Sequence, residues 1–290
     1  MAAYPSVPAY YGLKAVNEIG GLPYAGSTRM IPIASGYATN LFYGDIVQLS
    51  GGTLVAGSYS AASSPTSPIA GTIGVFVGCE YTQPVTNQKQ RSQYWPASTI
   101  ANDAIAYVID DPRTVFKAVM GSQATSTLSN TSSGLGYANP AFIGTNVYPL
   151  SGTAGSTTSG DSALCVSGGV VTNGTGNTRV TAAAPLRVVG VVPETAVAVT
   201  QTASTSGSST TLTLTAANSN IQAGMQISSP SGTGAYSGNY VSVTNVNGTT
   251  VTLSSAVTIA SGTQVTFIGY PEVLVTWNGN FHSYNNTTGV

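Results

Sequence analysis

The sequence predicts an all-β fold: a barrel- or sandwich-like main domain, an extended N-terminal arm and a small inserted β-domain near the C-terminal end. Three observations carry this reading. Apolar residues recur with period two in short runs, as in GTIGVFVGCEYT at 71–82, where Val75, Val77, Cys79 and Tyr81 alternate with Phe76, Gly78 and Glu80. No stretch sustains the 3.6-residue apolar period of a helix, and the nearest case, 139–143, is too short to stand. The polar residues are mainly Ser, Thr, Asn and Gly, and with 34 glycines and 16 tyrosines they suit tight turns and half-buried strands.

Residues 1–28 read as the arm. Pro5, Pro8 and Pro23 interrupt it, and Tyr4, Tyr10, Tyr11 and Tyr24 punctuate it. Such a segment has little core of its own, so it is expected to dock on a partner through its aromatics and to be dispensable for folding. Strands then follow at 29–35, 45–50 and 53–56, the last two flanking Gly51-Gly52, a two-residue hairpin signal. After the 71–82 strand, residues 82–100 read as a long polar loop that concentrates Lys89, Arg91, Tyr94 and Trp95. Further strands are predicted at 104–110 and 114–120, joined through Asp111-Pro112-Arg113, and at 145–150, 162–167 and 186–192.

The clearest organisational signal lies at 201–268. This segment contains no Lys, Arg, Asp, Glu, Trp or Cys, and Thr, Ser and Val dominate it. It carries its own strand candidates at 210–215, 225–228, 240–246, 250–255 and 264–268, with Asn247-Gly248 as a hairpin signal. The flanking runs LRVVGVV at 186–192 and EVLVTW at 272–277 would pair directly if the segment were cut out. The predicted organisation is therefore an arm at 1–28, a discontinuous main domain at 29–200 and 269–290, and an inserted domain at 201–268.

Charge is scarce. Asp, Glu, Lys and Arg make up 6% of residues, against about 25% in ordinary soluble proteins. A net charge of -1 gives no basis for nucleic acid or an anionic membrane as partner. A hydrophobic fraction of 42% argues against disorder. Because Lys and Glu are depleted and Tyr enriched at protein interfaces, this palette predicts either a surface largely covered by partners or a secreted or surface β-protein with a hydroxyl-rich exterior. No run approaches the length of a membrane span, and no signal peptide is apparent at the N-terminus.

The residues of catalysis are mostly missing. His282 is the only histidine and sits in what reads as a polar tail. Asp110-Asp111 is the only acidic pair, and adjacent strand residues point to opposite faces, so it reads as a turn with Arg113 neutralising a carboxylate. Cys79 and Cys165 lie in strand-like runs and read as small buried hydrophobes rather than a metal or disulfide pair. GGTLVAG lacks the lysine and helix of a phosphate loop. The Asn-x-Ser/Thr sequons at Asn130, Asn173 and Asn247 carry no weight in a chain this rich in those residues. No enzyme, cofactor or metal site is expected.

The series IASGYATNLFYGDIVQLSGG (33–52), GTIGVFVGCEYT (71–82), QYWPAS (93–98), AYVIDDPRTVFKA (106–118), APLRVVGVV (184–192) and VLVTWNGNFHSY (273–284) resembles the head decoration, or capsid cement, proteins of tailed bacteriophages, particularly those of aquatic bacteria. The insert is similar to small β-modules of phage and bacterial surface proteins. The resemblance implies a non-enzymatic virion protein, made in the host cytoplasm, that binds the outer capsid surface and braces the shell. Its implied partners are the major capsid protein and neighbouring copies of itself. The candidate contact residues are Tyr4, Tyr10, Tyr11 and Tyr24 of the arm, with Lys89, Arg91, Tyr94 and Trp95. The longer tyrosine-rich arm and the insert depart from the family pattern. The alternative is a tail or surface adhesion module that binds host glycans, which would line a cleft with Trp95 or Trp277.

Overall fold

The computed structural model describes residues 10–57, 72–121, 143–144, 146–147, 149–151, 155–167, 184–192, 195, 198–227, 241–268, 272–279, 282 and 284. The fold is all-β, with three sheets. The central one orders β2 (Arg29–Pro32), β7 (Ile105–Ile109), β5 (Thr72–Thr82), β3 (Ile46–Ser50) and β4 (Thr53–Ala56), with β6 (Lys89–Ser92) attached to β5. It curls until its edge strands β2 and β4 approach each other, making a small barrel. Trp95, Phe76, Leu41, Leu54 and Val108 fill the interior, all essentially inaccessible. The Trp95 indole N–H donates to the Tyr37 carbonyl at 3.3 Å, so the one polar atom of that side chain is satisfied inside.

A second sheet covers one outer face of the barrel. It orders β10 (Pro149–Ser151), β11 (Leu164–Ser167), β8 (Thr114–Gly121), β19 (Glu272–Trp277), β12 (Leu186–Val192) and β9 (Asn146–Val147), and β1 (Lys14–Glu18) pairs with β8. Pairing is antiparallel except between β8 and β11. Ile46, Val75 and Ile109 project from the barrel into the same core as Leu13, Phe116, Val188, Val275 and Trp277 of this sheet. Thus β5 is buried on both faces. A bulge at Val77, between the Phe76–Val108 and Gly78–Tyr107 pairs, resets its side-chain phase so that Phe76, Cys79 and Tyr81 all enter the barrel. The strict alternation expected for 71–82 is broken there. The close approach also demands glycine: a Cβ on Gly74 would lie 2.1 Å from the Ile109 carbonyl oxygen, and Gly78 has φ +142°.

The third sheet is drawn entirely from 198–268. It orders β15 (Gln226–Ile227), β18 (Thr263–Ile268), β13 (Ala198–Ser204), β14 (Ser208–Leu214), β17 (Thr250–Thr258) and β16 (Val243–Asn247). Its core, with Leu212, Val251, Leu253, Val265 and Phe267 among its members, shares no residue with the other two. Strand β13 begins at Ala198 and was not foreseen as a strand. The β16–β17 turn is Gly248-Thr249, one residue later than Asn247-Gly248, with Gly248 at φ +60°. The flanking strands β12 and β19 pair antiparallel from Leu186–Trp277 to Val192–Glu272, as their sequences foretold. Both chain ends of the insert therefore leave one strand pair at adjacent positions.

The structure corrects several expectations. The described part of the arm is docked on the chain itself: Leu13 is fully buried in the core and β1 is hydrogen-bonded to β8. The prolines exclude a helix, but the interval between Pro8 and Pro23 is long enough for a strand. Residues 89–92 form β6 rather than loop, because β5 outruns β3, whose pairing with it ends at Val75, and offers Cys79–Thr82 as an edge. Strands β7 and β8 are not a hairpin but lie in different sheets, so 111–113 turns a corner, with the Arg113 amide donating to Asp111 Oδ1 at 2.8 Å. His282 is fully buried against Trp277, not in an exposed tail. Cys79 and Cys165 form no disulfide and are buried, in agreement with the reading of both as small hydrophobes.

Two predictions follow from this architecture. Leu13→Ala should cost about 2–5 kcal/mol, as for any leucine removed from a packed core, although the sequence places it in an arm; urea denaturation measures the loss. Replacing 198–268 with a short Gly/Ser linker should leave the rest of the molecule folded, because Val192 and Glu272 are paired residues, about 5 Å apart. Retained near-ultraviolet dichroism from Trp95 and Trp277 is the readout.

Candidate functional site

An open cleft of about 640 Å³ lies where β1 meets the barrel. Lys14 of β1, Tyr43, Val77 of the β5 bulge, Arg91 of β6, Gln93 and Tyr107 of β7 line it. The bulge shapes the cleft by taking Val77 out of the regular ladder beside the paired Gly78. On one wall the Lys14 ammonium lies 3.6 Å from the Tyr43 ring centre and donates to Asp161 Oδ1 at 2.6 Å. Gln93 donates to the same carboxylate oxygen at 3.2 Å. Burial lowers the Lys14 pKa, and Asp161 opposes that shift.

On the other wall Glu80 gathers three donors. Lys89 reaches it at 2.8 Å, the Tyr107 hydroxyl at 2.8 Å and Arg91 Nε at 3.2 Å. The Lys89 ammonium, then the Tyr107 hydroxyl and the Arg91 guanidinium, hold the Glu80 carboxyl down to about 2. Glu80 is thus a carboxylate across the physiological range and has no proton to give. Arg91 uses Nε for this pair, and its side chain is 81% exposed. Its outer nitrogens, with the planar amide of Gln93, fit the site to hold a polar group on a partner.

The foreseen contact residues divide. Lys89 and Arg91 meet at Glu80. Tyr94 stacks on Phe42 at 5.7 Å and is half-buried. Trp95 lies inside the barrel and presents no surface, because the polar residues preceding it conceal a core position. Tyr4 lies outside the described residues, and Tyr10 is half-buried. The Tyr11 hydroxyl donates to Glu272 at 2.5 Å, beside Lys117 at 3.2 Å from the same carboxylate. Burial, then Glu272, raises the Tyr11 pKa far above its ordinary value. Tyr24 packs on the main core, and its hydroxyl donates to the Ser27 carbonyl at 2.5 Å. Lys14, Tyr43, Glu80, Tyr107 and Asp161 were not foreseen. Only their rarity could have flagged the charged ones, since each charge is informative in so charge-poor a chain.

A second polar cluster joins the termini of the fold. Arg29 pairs with Asp110 at 2.8 Å, and the Tyr284 hydroxyl donates to the same carboxylate. Tyr284 and Trp277 sandwich His282, with ring centres 4.9 and 5.5 Å away. Among the described residues no three His, Cys, Asp or Glu side chains gather as metal ligands, and no helix is long and apolar enough to cross a membrane.

Compared with protein families, with curated proteins and with solved structures, the chain matches none.

His282 sets a pH dependence. Burial lowers its folded-state pKa below the ordinary 6.5, so between the two values the unfolded chain binds the extra proton and the folded one does not. The fold should keep its full stability above about pH 6.5 and lose part of it as pH falls below that value, at no more than about 1.4 kcal/mol per unit. His282→Phe should flatten the slope of unfolding free energy against pH in that window.

Proposed function

We propose that this chain is a structural virion protein that binds the outer surface of an assembled tailed-phage capsid and braces it. The segments resembling head decoration proteins supply β3, β5, β7, β8, β12 and β19, so the resemblance runs through the two packed sheets of the main unit. Docking rests on one observation, an apolar cluster held outward near the N-terminus. Val16 is the extra residue of a bulge in β1 and is 45% exposed. Ile19 and Leu22 follow on a turn, 50% and 64% exposed. That turn is fixed by the Glu18 amide donating to the Leu22 carbonyl at 2.7 Å and the Gly21 amide donating to the Glu18 carbonyl at 3.0 Å. Apolar side chains displayed on a fixed backbone next to a tyrosine-rich terminus are the kind of surface that partners cover.

The partners in this reading are the major capsid protein and neighbouring copies of the chain. Binding the assembled lattice better than its parts stabilises the shell by mass action, and repetition adds avidity without one very tight site. Apolar and hydrogen-bonded contacts make that attachment insensitive to salt. This reading assigns the chain no catalysis, and it gives the Cys79 thiol, pushed up to about 12 by burial and inert at neutral pH, a packing role alone. The alternative of a glycan-binding tail module placed Trp95 or Trp277 in a cleft. They are 0% and 4% exposed within the chain's own cores, and the reading loses that support.

The pair Ile19→Asp with Leu22→Asp should leave dichroism and melting unchanged yet reduce coating of bare particles at least tenfold. Particles coated with the native chain should release DNA at a higher temperature than bare ones, and should still do so in about 1 M salt, where the Debye length is about 3 Å. Equal coating by the variant would remove the assigned surface, and identical release temperatures would remove the bracing role.

A further inference from the structure

The outward face of the third sheet is built differently from the rest of the molecule. Across β14, β17 and β16 the register sets Thr211 opposite Thr252 and Asn245, and Thr213 opposite Thr250 and Asn247. Directly paired residues in an antiparallel ladder point to the same side. These six therefore form two rows of three on one face, while Leu212, Val251 and Leu253 fill the core on the other. Neighbouring strands lie about 4.8 Å apart, and alternate residues along a strand about 6.8 Å. Five of the six are exposed and Thr252 is half-buried.

Two properties define the chemistry of this grid. First, it carries no charge at all: every Lys, Arg, Asp and Glu of the chain lies outside 201–268. Soluble sheets normally place charges on such faces and edges to prevent association. Second, none of the six side chains makes an intramolecular hydrogen bond among the described residues; the nearby Thr244 hydroxyl donates to the Thr252 backbone carbonyl at 3.1 Å instead. The grid thus offers hydroxyls and amides, each both donor and acceptor, and threonine methyls between them.

We propose that this face binds neutral polysaccharide. A polyol chain presents hydroxyls that donate and accept, and carbon-bound hydrogens that suit the methyls. It needs no countercharge, and the face supplies none. With no aromatic platform among the six, each site is weak, and attachment depends on many copies acting together. The site lies on the insert, so it stands apart from the surface assigned above to shell binding.

The test is retention of the full chain, displayed in many copies on beads, by an uncharged β-glucan and an uncharged mannan, with alginate as a carboxylated control. The native chain should be held by at least one neutral polymer, equally at about 0.05 and 1 M salt, where electrostatic contacts are screened very differently. The combined variant Thr211→Val, Thr213→Val, Thr250→Val and Thr252→Val keeps strand propensity and should lose at least tenfold in retention with unchanged melting. Should that variant misfold, Asn245→Asp with Asn247→Asp, nearly isosteric, should show the same loss. No retention on either neutral polymer would overturn the proposal. So would equal retention by the variants, preference for alginate, or concentration-dependent self-association abolished by the same substitutions.

Discussion

The main unit depends on β5 being buried on both faces. A strand with a core on each side cannot keep one face for water, and its neighbours must come close enough to exclude water from both. Gly74 allows that approach to the Ile109 carbonyl, and the bulge at Val77 lets Phe76, Cys79 and Tyr81 share the barrel interior while Val75 serves the second core. The same bulge leaves Val77 half-buried at the floor of the cleft, beside Gly78, Lys14 and Arg91. Packing and surface shape thus come from one irregularity in one ladder.

The few charges are spent on joints. Lys14–Asp161 links β1 to the segment before β11, Arg29–Asp110 ties β2 to the corner after β7, and Lys117–Glu272 bridges two paired strands beneath Tyr11. Asp45 works similarly, accepting from the Phe42 amide at 2.8 Å and the Ser162 hydroxyl at 2.5 Å. Exposed ion pairs contribute little to stability, generally under about 1 kcal/mol. Their effect here is to tie neighbouring strands and the segments that join them. What remains outside is hydroxyl, amide and scattered apolar surface, which suits lasting contact with uncharged partners.

The insert is organised on another principle. Its strands are short of aromatics and its core is aliphatic apart from Phe267. Nothing in its six-stranded ladder pairs with the other sheets. The Val192–Glu272 pair closes the main unit beneath it, and Thr195 completes that closure by accepting from the Glu272 amide at 2.7 Å. Such separation allows the two outward surfaces, the apolar turn near the N-terminus and the threonine grid, to be altered independently.

By itself the sequence determined the all-β class, most strand positions, the pairing of 186–192 with 272–277 and the distinct character of the C-terminal segment. These are local or compositional: period two, turn residues and the abrupt disappearance of charge are visible within short windows. Only the tertiary structure decided that the N-terminal segment enters a sheet, that Trp95 and His282 are buried, and that β7 and β8 part into different sheets. A strand's partner, and the face on which its side chains end, depend on contacts made far away in the chain. The cleft was illegible for the same reason, since Lys14 joins Tyr43, Arg91, Gln93 and Tyr107 only when β1 is laid beside the barrel. The threonine grid lies between these cases: its residues announce an exposed face, but only the register between β14, β17 and β16 makes them rows.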